Sequence, residues 1–94
     1  MNAAFTVGDR VWVRQIFPPG HLRTPWYIRG KSGVVERVLA AFPNPEERAY
    51  GRPGLPERTL YRVRFVQKDV WPDYAGRDAD TVDIEIYQHW LEPA

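Results

Sequence analysis

One stretch limits what this chain can become: residues 18–33, PPGHLRTPWYIRGKSG. Its prolines at 18, 19 and 25 have no amide hydrogen, and its glycines at 20, 30 and 33 have no side chain to pack. Neither a helix nor an unbroken ladder can run through such a segment. A connection of this length without regular structure is uncommon in a compact domain and is most often functional. Strands are expected on both sides of it, so the segment reads as a binding loop held on a rigid frame.

The flanking pattern supports that frame. Val11 and Val13 alternate with Arg10, Trp12 and Arg14, the period-two signature of a half-buried strand, and Gly8-Asp9 reads as the turn before it. Gly33 to Leu39 is a second expected strand, with Val34 and Val38 on one face and Val35, Arg37 and Leu39 on the other. Residues 42–58 hold four prolines and two glycines and read as an ordered excursion. From Thr59 to Phe65, Tyr61, Val63 and Phe65 point inward while Arg62 and Arg64 point outward. Lys68 to Asp80 is an expected loop anchored by Trp71-Pro72. Thr81 to Ile86 sets Val82, Ile84 and Ile86 against Asp83 and Glu85. Tyr87 to Trp90 reads as one helical turn before a closing strand at Leu91-Glu92. The pattern defines an all-β domain, a small SH3-like barrel with long ordered loops and a short helical turn near the C-terminus.

Ninety-four residues make a single domain, 1–94, with residues 1–4 expected to fray. The absence of cysteine excludes a disulfide framework, a thiolate metal site and a cysteine nucleophile. No stretch has the length of a membrane span, and MNAAFTVGDRV has neither the basic start nor the apolar run of a signal peptide. A cytoplasmic protein with no membrane partner is expected. Thirteen basic and twelve acidic residues leave a formal charge of only +1. Lys and Arg gather in residues 10–37, Asp and Glu in 69–92, so one face can be positive without general affinity for polyanions. Four tryptophans, five tyrosines and four phenylalanines exceed what so small a core can bury, which favours an interface.

Chemistry within the chain is sparse. Its two histidines, His21 and His89, lie far apart with no ligand-spaced carboxylates, which makes a poor metal site. No serine nucleophile elbow is present. The isolated chain is expected to be inactive. Histidine as a residue type titrates near neutral pH, which invites a catalytic reading, but His21 reads better as a donor to a loop carbonyl, and Arg29-Gly30 as the residues that shape a turn. Trp12, outward between two arginines, is either an interface residue or covered by its own loop. Trp26 either lines a pocket or packs on a partner. Trp71 stands with Tyr61 and Phe65 as a core or loop anchor and, with Trp12 and Trp26, is a candidate interface residue.

Gly8-Asp9-Arg10-Val11, then Pro19-Gly20-His21, Arg23, Tyr27, Arg29-Gly30-Lys31 and Gly33, resemble the C-terminal domain of the nitrile hydratase β subunit. The resemblance continues through Leu60-Tyr61-x-Val63-x-Phe65, Val70-Trp71 and Glu85-Ile86-Tyr87…Trp90-Leu91-Glu92-Pro93. Trp90 stands where that family more often has tyrosine. The thiocyanate hydrolases share the domain. The resemblance implies an SH3-like fold and a subunit that docks on a metal-bearing α-type partner. In that family the arginine matching Arg23 hydrogen-bonds the partner's oxidised cysteine oxygens, with His21, Tyr27 and Arg29 supporting its loop. Co(III) or Fe(III) is expected in the partner and no cofactor in this chain. A separate chain resembling the family's N-terminal half is a further expected partner. Three other readings stay open: a thiocyanate hydrolase subunit, a maturation or escort protein for the α-type chain, and a KOW-like nucleic-acid barrel built around Gly33-Val34-Val35-Glu36-Arg37-Val38. Near-balanced charge makes nucleic acid the weaker partner.

Overall fold

The computed structural model describes residues 4–15, 24–43, 51, 53, 55 and 57–94, without the side chain of Trp26. Five strands form one antiparallel sheet: β1 Arg10–Val13, β2 Ser32–Phe42, β3 Arg58–Val66, β4 Thr81–Tyr87 and β5 Leu91–Pro93, in the order β4-β3-β2-β1-β5. The domain is all-β, as its alternation implies. Among the described residues β4 and β5 do not pair, so the sheet does not close on itself. Among the described residues, helix is limited to one α turn, α1 Gln67–Val70, and two 3-10 turns, Trp26–Ile28 and Gln88–Trp90. The second 3-10 turn lies inside the helical turn expected at 87–90.

The core collects the inward residues of each strand. Val11 and Val13 of β1, Val35 of β2, Tyr61, Val63 and Phe65 of β3 and Ile86 of β4 are buried, joined by Ile28, Val70, Trp90 and Leu91. Burying a side chain of this size stabilises the fold by about 1.5–3 kcal/mol. Phe5 closes one end: its ring meets Tyr61 edge-on at 5.5 Å, and its amide donates to the Tyr61 hydroxyl, which donates in turn to Gln88 Oε1.

Three local expectations are corrected. In β2, Val34 and Val38 do not share a face. Val35 lies opposite Val63 and Arg37 opposite Arg62, so Glu36 is an extra residue that shifts the phase and brings Val38 onto the core with Val35. A bulge of this kind bends a strand and reverses its side chains from that point on. β2 also runs on to Phe42, beyond the expected end. Finally, the segment expected as a loop from Lys68 opens with α1, and its anchor is the buried Val70, while Trp71 stays 38% exposed. The Trp71 amide donates to the Gln67 carbonyl and ends that turn.

Residues 44–50, 52, 54 and 56 of the proline-rich excursion lie outside the described residues. So do residues 1–3 of the expected frayed end; the Ala4 amide donates to Gln88 Oε1 at 3.4 Å.

Candidate functional site

The long loop leaves β1 and returns to β2 across one pair of hydrogen bonds. The Val13 amide donates to the Lys31 carbonyl at 2.9 Å, and the Gly30 amide donates to the Val13 carbonyl at 2.8 Å. Gly30 sits at φ +78°, and a Cβ there would come within 2.9 Å of Gln15 Oε1. Glycine is therefore required where the loop rejoins the sheet. His21, Arg23 and the side chain of Trp26, all expected site residues, lie outside the described residues.

The returning half of the loop is fastened at three points. Ile28, with no exposed surface, plugs into the core. Arg29 donates from Nη2 to the carbonyl of the buried Thr24 at 2.7 Å, and its guanidinium lies 4.9 Å from the centre of the Trp90 ring. Tyr27 packs on Trp71, ring centres 5.0 Å apart and tilted by 30°. An open cleft of about 350 Å³ lies between this turn and the segment after α1. Tyr27, Arg29, Lys31 and Gln15 line one side of it; Val70, Trp71 and Pro72 line the other. The wall is aromatic and prolyl with two cationic side chains at it. Such a surface accepts an apolar group that carries a carboxylate or another acceptor.

Of the expected site residues, the structure gathers Tyr27, Arg29 and Trp71 around this cleft. Trp12 is elsewhere: half-buried on β1, opposite Ser32 and Glu92, and flanked by Arg14, which pairs with Glu92 at 3.6 Å and donates to the His89 carbonyl. Sequence reasoning missed Trp90, Thr24 and Lys31 as parts of the site. The one signal for Trp90 was a large aromatic in a segment otherwise read as sheet closure.

On the outward face of β3, two arginines are paired with carboxylates. Arg64 makes a two-pronged pair with Asp83 at 2.9 and 3.0 Å, and Arg62 reaches Glu85 at 3.2 Å and Glu36 at 3.9 Å. The hydrogen bond from Arg64 holds the Asp83 carboxyl below the usual carboxylate range. Among the described residues, no group of three or more His, Asp or Glu is placed to hold a metal ion.

The described residues form an antiparallel sheet with a long loop fastened to it, and they hold no cluster of metal ligands. The family model described as nitrile hydratase β subunit, C-terminal, matches residues 1–93, so the chain belongs to that family. It is 37% identical over 94 residues to the β subunit of a low-molecular-weight cobalt-containing nitrile hydratase from Rhodococcus rhodochrous, covering 99% of this chain and 41% of that one. It is also 37% identical to thiocyanate hydrolase subunit alpha from Thiobacillus thioparus, covering 99% of this chain and 74% of the relative. A solved structure of the recombinant apo-form of that thiocyanate hydrolase superposes with a TM-score of 0.92 at 34% identity, over 99% of this chain and 78% of the other. The chain thus spans about two fifths of the nitrile hydratase β subunits it matches.

Proposed function

We propose that this chain is a β-type subunit of a nitrile hydratase-like metalloenzyme, docking on an α-type subunit through the long loop between β1 and β2. In this reading the hydration of a nitrile to an amide takes place at the partner's metal, cobalt or iron. Arg23 supplies a charged, planar donor set to the oxygens of the partner's oxidised cysteines. The chain has no cysteine, and its described residues offer no ligand cluster. Its part is to orient and to hydrogen-bond, a supporting role whose loss weakens metal retention or turnover.

The observation that carries the reading is the family match over residues 1–93, which takes in the Gly20-His21-x-Arg23 motif and the fastened turn behind it. The likeness to thiocyanate hydrolase subunit alpha, which this chain covers to three quarters of its length, supports thiocyanate as the second substrate reading. Nucleic acid is disfavoured because Arg62 and Arg64 are already paired with carboxylates.

The test is a tagged pull-down from the native host, washed at high salt, with metal analysis of the eluate and assay against nitriles and thiocyanate. A stoichiometric partner containing cobalt or iron supports the reading. A metal-free chain without a partner, from cells that express both, overturns it. In the assembled enzyme, Arg23→Lys is expected to abolish most turnover while the isolated chain stays folded; full turnover would remove Arg23 from its role.

A further inference from the structure

We infer, resting on the docking role proposed above, that the cleft between Tyr27 and Trp71 holds an extended segment of the α-type partner with an apolar side chain beside a carboxylate. One wall carries Tyr27, Arg29, Lys31 and Gln15, the other Val70, Trp71 and Pro72. All of these lie among the described residues, and none is acidic. Asp69 and Asp73 flank residues 70–72 in the chain and are exposed, yet neither lines the cleft. Charge is therefore one-sided: two cations on the loop wall, an apolar surface opposite. A segment that brings a carboxylate to the first and an apolar side chain to the second complements both.

The aromatic surface is fixed in place. The Trp71 amide closes α1 on the Gln67 carbonyl and Val70 takes the buried position, so the indole stays at the surface. It packs on Tyr27 with ring centres 5.0 Å apart and is still 38% exposed. Tyr27 is itself tied to the core by its neighbour Ile28, which has no exposed surface. Rigid rings of this kind offer contact area at little entropic cost, and tryptophan, tyrosine and arginine are the side chains that most often carry binding energy at interfaces. Arg29 already donates to the Thr24 carbonyl and lies against the Trp90 ring, so Lys31 is the cation placed to meet the carboxylate. Its carbonyl accepts from the Val13 amide, which anchors it where the loop rejoins the sheet.

Shape selects a segment over a small molecule. About 350 Å³ is at the small end of ligand sites, which span about 300–1,000 Å³, and an open cleft does not enclose a small molecule as those sites do. Aromatic-lined grooves are a recurrent seat for extended segments, which need place only one or two side chains inside. The cleft also adjoins the long loop, so one partner surface can meet both.

The test has two parts. Heteronuclear NMR of the isolated full chain follows the Trp71 indole and the Lys31 amide during titration with a capped pentapeptide bearing one leucine followed by one glutamate. Millimolar binding confined to the cleft is expected, about fivefold weaker with glutamine in place of glutamate or in Lys31→Gln. No shift by about 10 mM, or equal binding of the two peptides, overturns the groove. Equally tight binding of phenylpropionate would make the cleft a small-molecule site, and shifts on raising the chain concentration alone would assign it to a second copy; either overturns the partner segment. In the complex recovered with the partner, Lys31→Glu and Trp71→Ala should each speed dissociation about tenfold with metal content unchanged. Should Trp71→Ala misfold, Lys31→Glu decides. Dissociation at the parent rate in Lys31→Glu overturns the groove and leaves the docking role standing. If no partner is recovered but the glutamate peptide binds as described, the docking role fails and only the preference of the cleft for an apolar, acidic segment stands.

Discussion

Replacing Gly33 with alanine would put a methyl group where β2 and β3 leave no room. A Cβ at this position would stand 2.7 Å from the Arg64 carbonyl oxygen, 2.8 Å from Val63 Cγ1 and 3.0 Å from Phe65 Cδ1. The first of these is backbone, and the other two belong to side chains with no exposed surface. None can withdraw without moving a strand, and Gly33 also faces Val11 across β1, so the strand is hemmed in on both edges. Overpacking of a filled core costs roughly 1–3 kcal/mol, and a clash with backbone belongs at the upper end, about 3 kcal/mol. A chain of this length has a total stability of about 5–14 kcal/mol, so the loss is a large fraction of it. With each kcal/mol shifting the midpoint by about 4–8 °C in a domain of this size, Gly33→Ala should lower Tm by about 12–24 °C. Thermal unfolding of the isolated chain, followed by circular dichroism at fixed pH and protein concentration, reads the shift directly. A fall of less than about 3 °C would show that β2 and β3 can part at this point, and would refute the close packing on which the argument stands.

Three further outcomes follow from other contacts. Tyr61→Phe removes the hydroxyl that takes the Phe5 amide and donates to Gln88, and should cost about 1–2 kcal/mol in urea unfolding; an unchanged midpoint would mean that water replaces it. Asp83 has its folded pKa lowered, first by the hydrogen bond from Arg64. Its contribution is therefore complete above an unfolded carboxylate pKa of about 3.9 and is lost as pH falls through the folded value. Urea midpoints measured downward from pH 6 should thus fall less steeply in acid for Asp83→Asn than for the parent chain, and equal slopes would remove the pair from the acid response. On heparin or single-stranded RNA at physiological salt, the chain should bind no tighter than about 10⁻⁴ M; micromolar, salt-sensitive binding would revive the nucleic-acid reading.

Much of the frame was legible because strand patterning is local. Val11 and Val13, then Tyr61, Val63 and Phe65, then Val82, Ile84 and Ile86 announce their inward faces by alternation alone, and the structure packs each set against one core. The bulge at Glu36 was not legible. Nothing in Val34 to Val38 marks an extra residue; it exists because β3 offers Val63 and Arg62 as neighbours to Val35 and Arg37. The site divides in the same way. Tyr27 and Arg29 stand in a segment whose prolines and glycines exclude regular structure, so their place in a loop could be read directly. That Tyr27 packs on Trp71, or that Trp90 underlies Arg29, depends on residues far apart in the chain.

The all-β class, the inward and outward faces of most strands, the long loop, the absence of thiolate chemistry and the family likeness are all legible in the order of the residues. Each of these is a property of neighbouring residues or of composition. Long-range contacts settle that β4 and β5 do not pair among the described residues, that Val70 and not Trp71 is the buried anchor, and that Thr24 is held by Arg29 against Trp90. Those outcomes come from competition among distant side chains for limited buried space and hydrogen-bond partners, and that competition is settled only when the strands are in register.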